Sequence, residues 1–476
     1  MTFSTGTFLR LVLYTLAAFT PIHESLSQSR SFDEPVKGEI IEALEAFHKR
    51  YRLTSLSFSI FQGQTEGFDY ATGYANKAEK IKATPDHIYT IASLTKPVTA
   101  MTLVDLVNRN YLALGDSVHK FIAGFTRGIT VLDLLNHTSG FLREKENEHF
   151  LSNSSYLDVV EYLPVKFKLK IHRYANFNYA AVGALIDKMM KKEYSAVAND
   201  YYLSVTGDSL YFSNHQRYGS DPRFVKNYVR RGRRLHGHDV VNFGLWEPAA
   251  FAQASARSLA RFLRAQMTPQ LIGLLESHAV TVKKRKNRSG HTIRDCYALG
   301  FRLRYIDGDL HYIYHNGFLY GVLGTLYYFP KKDLGFVALS NMSYYPRQRV
   351  AIGSLYKRIE TIVDDAFNDK IARYAARNGY VAGAIFYETN RELGEISEQK
   401  LSSLAQDYLD NHKYREAFNL YKFIRYFFPD SKASRDGMAD AYRKLGNDEL
   451  TDEILLKGGG MESSDTTALK RTDAQN

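Results

Sequence analysis

Thr90-Ile91-Ala92-Ser93-Leu94-Thr95-Lys96-Pro97-Val98-Thr99-Ala100-Met101-Thr102-Leu103-Val104 is the stretch from which the remainder of the chain is read. A helical turn opening at Ser93 carries Lys96 three residues on, so the hydroxyl and the amine share one face. Such an amine can take the hydroxyl's proton. Serine is a weak nucleophile at its own pKa, and lysine serves as its base only where burial or neighbouring cations leave it neutral. Val98, Met101, Leu103, Val104 and Leu106 supply apolar cover. Pro97 requires the helix to open close to this point, because proline is comfortable only in a first turn. Ser-x-x-Lys recurs at Ser117/Lys120, Ser354/Lys357 and Ser397/Lys400, so the pattern gains meaning only from residues elsewhere.

With 476 residues, 45% hydrophobic and 13% aromatic, the chain can bury a large core in two or three domains, which excludes a disordered protein. Residues 1–27 read as a signal peptide: Arg10, the apolar run Leu11 to Phe19, then Ser25-Leu26-Ser27 as a cleavage site. The run is too short to span a bilayer, so the expectation is a secreted or periplasmic protein. Cys296 is the single cysteine, which excludes an intramolecular disulfide. The net charge of +11 is concentrated in Arg230-Arg231-Gly232-Arg233-Arg234 and Lys283-Lys284-Arg285-Lys286-Asn287-Arg288. No nucleic-acid-binding motif accompanies these clusters, so they are read as solvated loops attractive to anionic envelope polymers, with no nucleic-acid partner.

Ile40, Ile41, Leu44 and Phe47 have helical spacing, and Ser55 to Gln62 and Phe68 to Gly73 alternate as strands about Gln62-Gly63-Gln64. Ile129 to Leu135 reads as a short helix running into the tight turn Asn136-His137-Thr138-Ser139-Gly140-Phe141. Tyr174 to Met190 is a polar turn opening an apolar helix, which Asn176 or Asn178 can cap. Residues 200–245 show no clear period and are expected to be loops or an insertion. Ala254 to Met267 is expected to be helical, and Ala298 to Tyr305, Leu310 to His315, Gly324 to Phe329 and Gly335 to Asn341 form an antiparallel sheet. A helix near Ile352 to Phe367 closes this part. Strands at both ends with helices between them make an α+β fold, and the two ends must pair to complete the sheet.

Three sites follow in order: Ser93-x-x-Lys96, Tyr174-x-Asn176 and His315-Asn316-Gly317, the last being the only His-x-Gly in the chain. With Leu134-Leu135-Asn136-His137-Thr138-Ser139-Gly140, Leu299-Gly300-Phe301 and Gly321, they resemble the serine β-lactamase and penicillin-binding-protein superfamily, nearest the branch of class C β-lactamases, D-peptidases and esterases. The resemblance covers about residues 36–365, within a hydrolase domain expected over 36–367. It implies an antiparallel sheet flanked by helices, an all-helical half, and a cleft between them. Ser93 is then the acylated nucleophile, Lys96 and Tyr174 share its proton and that of the leaving group, and Asn176 orients the substrate amide and Lys96. Which of Lys96 and Tyr174 is the base stays open, since coupled groups share one titration. The strand bearing His315 and Gly317 docks the substrate, and the N–H groups of Ser93 and Phe318 form an oxyanion hole. Many β-lactamases carry lysine where His315 stands, and a histidine is largely neutral above pH about 6.5. Peptide or ester hydrolysis is therefore ranked above efficient antibiotic hydrolysis, with Phe318 narrowing the pocket.

His137 reads as structural, bonding a turn backbone. His236-Gly237-His238-Asp239 has too few convergent groups for zinc, and neither a dinucleotide fingerprint nor a P-loop occurs, so no cofactor is expected. In residues 370–457, Leu404, Ala405, Tyr408, Ala417, Tyr421, Ile424 and Pro429 fall at positions resembling a tetratricopeptide repeat, with Met438, Ala439 and Tyr442 opening a second unit. Residues 458–476 are expected to be a disordered tail. The expected activity is an exported serine hydrolase forming an acyl-enzyme on an amide or ester bond, its small-molecule or peptide substrate being a D-amino-acid cell-wall peptide or a small ester. The alternative is a catalytically inactive fold that binds a protein partner through its C-terminal helices.

Overall fold

The computed structural model describes residues 32–63, 65–141, 168–212, 221–232, 234–240, 244–343, 348–391 and 394–446. The expected signal peptide at 1–27 and tail at 458–476 lie outside the described residues. The chain divides into two compact units between Tyr356 and Lys357.

The first unit is built on one antiparallel sheet of nine strands: β1 Ser55–Gln62, β2 Thr65–Asn76, β3 Ile81–Lys82, β4 Val280–Lys286, β5 Thr292–Ala298, β6 Phe301–Ile306, β7 Asp309–Leu319, β8 Val322–Phe329 and β9 Leu334–Ser340. Their order is β3-β2-β1-β9-β8-β7-β6-β5-β4. The two ends of the unit therefore pair, from Ser57 opposite Leu339 to Gln62 opposite Leu334. β8 and β9 are buried along their whole length, which explains why they read as continuous apolar runs rather than as alternation. β4 at the far edge is largely exposed.

Helices cover this sheet and form a second, all-helical half. They are α1 Glu34–Tyr51, α2 Thr95–Asn108, α3 Val131–Leu135, α4 Phe177–Met190, α5 Tyr194–Thr206, α6 Glu247–Ala250, α7 Ala256–Gln266 and α8 Pro269–Ser277. Asp33 caps α1, accepting from the Val36 N–H at 3.1 Å, and Ile40, Leu44 and Phe47 form its buried stripe. α2 is buried from Thr95 to Val104, so it runs through the core rather than over it. Thr130 and Asp133 cap α3 reciprocally.

Several readings of the sequence need correction. Residues 200–245 are not simply loops: α5 occupies their start, and Asn227–Arg231 pairs with Arg234–His238 as a hairpin. The helical period of Tyr194, Val197, Ala198, Tyr202 and Thr206 is obscured by exposed Leu203 and half-buried Tyr201. Both basic clusters lie largely in strands. Lysines stand on β4, an edge strand among the described residues, where such charges disfavour pairing with another chain. Ala254 ends a short strand, Ala252–Ala254, and Ser255 caps the helix that follows.

α9, Gln348–Asn378, runs without a break through residues 367–370. The second unit continues with α10 Tyr380–Asn390, α11 Glu398–Asp410, α12 Tyr414–Phe427 and α13 Lys432–Lys444. Leu401 and Ala405 of α11, Ala417, Leu420, Tyr421 and Ile424 of α12, and Met438 and Ala439 of α13 are buried. A side chain at Gly437 would run into the ring of Tyr421, so glycine there sets how closely α12 and α13 approach.

Candidate active site

Ser93 lies in a single turn of tighter helix, Ala92–Leu94, immediately before α2. Ala92 takes φ +49°, a strained value for a residue with a Cβ. The turn is tied down on both sides. Thr95 Oγ1 donates to Ala92 O at 2.7 Å and accepts the Ala252 N–H at 3.2 Å, while the Ile91 N–H reaches Ala252 O at 3.0 Å. The sheet comes up against it from below. A Cβ at Gly317 of β7 would collide with Ile91 O, and one at Gly324 of β8 would lie 2.9 Å from Leu94 Cδ1. The glycine of His315-Asn316-Gly317 is thus demanded by the close approach of β7 to the Ser93 turn.

Lys96 is fully buried, and its Nζ is surrounded by three oxygens. Nζ lies 3.2 Å from Ser93 Oγ, 2.6 Å from Asn176 Oδ1 and 2.9 Å from Ala249 O. Among the described residues no carboxylate pairs with it. The Tyr174 ring centroid is 4.8 Å from the same nitrogen. As an ammonium, Lys96 donates to all three oxygens; as an amine, it donates to Asn176 and Ala249 and offers its lone pair to the Ser93 O–H. The surroundings accept either state, which is what a proton-shuttling base requires.

Asn176 stands at the start of α4, yet its backbone is helical and its side chain caps nothing. Capping by Asn176 or Asn178 was the expectation; the Lys96 contact claims the first, and the second is used in a local knot. Asn178 Nδ2 donates to Ala175 O at 3.1 Å, and its Oδ1 accepts from Ser139 Oγ at 2.5 Å. His137, at φ +57°, completes the knot: Nδ1 is 3.3 Å from the Ala175 nitrogen and 3.2 Å from Asn178 Nδ2. Both neighbours are donors, so Nδ1 accepts and the ring proton sits on Nε2. His137 therefore bonds backbone, as its sequence setting suggested, and the backbone it holds is the residue between Tyr174 and Asn176. Its ring packs against that of Tyr174 with centroids 4.3 Å apart.

His315 is 1% exposed. Its Nδ1 donates to Asn316 O at 3.0 Å, and Nε2 lies 3.3 Å from the Tyr297 hydroxyl. Burial, reinforced by the Arg302 and Lys96 charges, holds the imidazole well below its usual pKa. Burial, then His172, Lys96, Arg302 and His315, does the same to His137. Tyr297 is pushed well above the ordinary phenol range, by burial first and then by Tyr179 and Tyr174, so it keeps its proton and can donate to His315.

Arg302 was missed in the sequence. It lies on β6, half-buried, with its guanidinium carbon 5.4 Å from the Tyr174 ring centroid and 5.6 Å from that of Tyr297. Among the described residues it has no carboxylate partner. Two residues on, Arg304 looks equivalent in Phe301-Arg302-Leu303-Arg304, but it donates to Asp295 Oδ1 at 2.6 Å and to the Tyr312 hydroxyl at 2.6 Å. Only the cross-strand neighbours separate the unpaired arginine from the paired one. Phe318 is half-buried on β7, directly opposite Leu323. At the opposite end of α2's first turns, Gly300 at φ +89° lets the β5–β6 turn approach Lys96 O, where a Cβ would sit 3.0 Å away. Asn136 Oδ1 accepts the neighbouring Leu299 N–H at 2.8 Å, so the Leu134–Gly140 motif braces this turn.

The family model for Beta-lactamase matches residues 40–356. Protein flp of Staphylococcus aureus (strain MW2) is 26% identical over 298 residues, which is 58% of this chain and 57% of that protein. The chain thus spans little more than half the length of that curated relative. Teichoic acid D-alanine hydrolase of Staphylococcus aureus (strain MRSA252) is 24% identical over 325 residues, covering 65% of this chain and 76% of the relative. A β-lactamase/D-alanine carboxypeptidase from Pseudomonas syringae superposes with TM-score 0.56 at 17% identity, over 69% of this chain and 99% of that structure.

Proposed function

The chain belongs to the Beta-lactamase family, and on that premise we propose that it is an exported serine hydrolase acting through an acyl-enzyme on D-amino-acid peptides or small esters. The observation that carries this reading is Lys96, buried without a counter-carboxylate among the described residues and in contact with Ser93 Oγ at 3.2 Å and Asn176 Oδ1 at 2.6 Å. In the reaction, the Ser93 oxygen attacks the carbonyl carbon as its proton passes to the Lys96/Tyr174 pair. The N–H groups of Ser93 and Phe318 receive the developing oxyanion. Collapse expels the amine or alcohol, which takes a proton back from the pair, and water then attacks the ester by the same route in reverse.

Arg302 supports a substrate that bears a carboxylate near the scissile bond. A guanidinium holds a carboxylate by two parallel hydrogen bonds at any working pH, and neutral His315 cannot replace it. The relative named as a teichoic acid D-alanine hydrolase supports the D-amino-acid part of the reading. Within this reading the C-terminal helices are a tetratricopeptide-like platform for a protein partner. The test compares hydrolysis of a D-alanyl-D-alanine peptide, an aryl acetate and a cephalosporin by the wild type and by Ser93→Ala. Turnover of the peptide or ester that disappears in the variant supports the proposal. Cephalosporin as the sole substrate refutes the substrate class, and turnover of any of them by Ser93→Ala refutes the nucleophile.

A further inference from the structure

Arg257, Arg261 and Arg264 recur at i, i+4 and i+7 on α7, so they form one stripe, and the stripe faces the β1–β2 hairpin. Between them is a cavity of about 250 Å³, walled on the hairpin side by Ser59, Gly67 and Asp69. Its hairpin wall is irregular. Phe61 pairs with Glu66 and Ile60 with Phe68, leaving Gly67 as the extra residue of a bulge, and a Cβ there would collide with Ile60 O.

The three arginines are not equally occupied. Arg257 Nε is 2.6 Å from Asp69 Oδ2 and its Nη1 is 2.6 Å from Asp86 Oδ1, which fixes the fork and leaves Nη2 without a partner among the described residues. Arg261 pairs with Asp208 at 3.2 Å. Arg264 makes no ion pair or hydrogen bond among the described residues. Three carboxylates thus hold two of the guanidiniums in place and balance the charge of the stripe, while the Arg264 donors stay open among the described residues. Beside them, Ser59 stands directly across from Asp69 on the same face of the hairpin. It is 5% exposed, and its hydroxyl has no hydrogen-bond partner among the described residues.

We propose that this cavity binds the phosphate ester of a small polyol, with the phosphate on Arg264 and Arg257 and a hydroxyl on Ser59 and Asp69. The open fork of Arg264 matches two phosphate oxygens at a time, Arg257 adds its Nη2 as a further donor, and a serine hydroxyl beside a carboxylate both donates to and accepts from an alcohol. The site lies apart from Ser93, so the proposal stands or falls separately from the hydrolase reading.

Calorimetric titration of the full chain with glycerol 3-phosphate, inorganic phosphate and glycerol, at constant ionic strength, tests it. Glycerol 3-phosphate is expected to bind saturably and more tightly than inorganic phosphate, with glycerol alone too weak to detect. Arg264→Gln should weaken both phosphates about tenfold or more; Arg264→Lys, which keeps the charge without the fork, should weaken them less. Ser59→Ala should weaken the ester alone. Ser93→Ala should bind as the wild type does. Absence of saturable binding, unchanged affinity in a folded Arg264→Gln, or loss of binding in Ser93→Ala would each overturn the assignment. Equal affinity for the ester and for inorganic phosphate would overturn its polyol half.

Discussion

Lys96 Nζ sits closer to Asn176 Oδ1, at 2.6 Å, than to Ser93 Oγ, at 3.2 Å, although 80 residues of chain separate the lysine from the asparagine. The amide oxygen is therefore the fixed point from which the amine reaches the nucleophile. Replacing it with a carboxylate converts a neutral acceptor into a counter-charge that favours the ammonium. Asn176→Asp is expected to lower kcat about 10²-fold at neutral pH, with part of the loss recovered at higher pH, whereas Asn176→Ala loses rate without that recovery. Profiles of kcat against pH for the two variants check this.

Lys96→Met replaces the buried Nζ with an apolar side chain of similar length. Asn176 Oδ1 and Ala249 O each lose a donor, a penalty of about 1–3 kcal/mol per group, offset by apolar filling of the space. The variant should remain folded, as seen in its thermal midpoint, while turnover falls by about 10³-fold or more. Folded protein with turnover near that of the wild type would place the base elsewhere.

Gly317→Ala forces a methyl group against Ile91 O and to within 3.2 Å of Ala92 Cβ. Either β7 or the Ser93 turn must shift. Stability should fall by about 1–3 kcal/mol, and kcat should fall more than KM changes, because a displacement of the nucleophile of about 1 Å costs about 10²-fold in rate. Chemical denaturation and steady-state kinetics of this single variant measure both effects.

His137 and His315 are buried with their pKa values held well below the ordinary imidazole value. In the unfolded chain both take up protons below pH about 6.5, whereas in the folded protein they stay neutral, so the unfolded state binds more protons and stability falls as pH falls. Each contributes a slope of up to about 1.4 kcal/mol per pH unit between about 6.5 and its own depressed pKa. Urea denaturation from pH 7.5 down to 5 should show this loss, and His315→Gln should flatten it. A slope unchanged by the substitution would mean that His315 titrates alike in both states.

The sequence carried the sheet's closure and the order of the site's pieces because these rest on local patterns: the alternation of β1, the apolar runs of β8 and β9, and short motifs around Ser93, Asn176 and His315. What it concealed depends on neighbours far away in the chain. Arg302 and Arg304 are indistinguishable until Asp295 is seen beside one of them. Asn176 reads as a cap until Lys96 is seen to occupy its amide oxygen. α5 escaped notice because exposed residues interrupt its buried stripe, and the bulge at Gly67 because nothing local marks a strand's extra residue. Gly317 is the intermediate case: its presence was legible, while its cause, the carbonyl of Ile91, was not.

The most direct measurement is mass spectrometry of the intact chain after exposure to a fluorescent penicillin or a fluorophosphonate, followed by mapping of the modified peptide. One adduct per chain on the oxygen of Ser93, absent from Ser93→Ala, is the predicted result. A folded wild-type protein that takes no adduct, or one carried by another serine such as Ser117, would contradict the account.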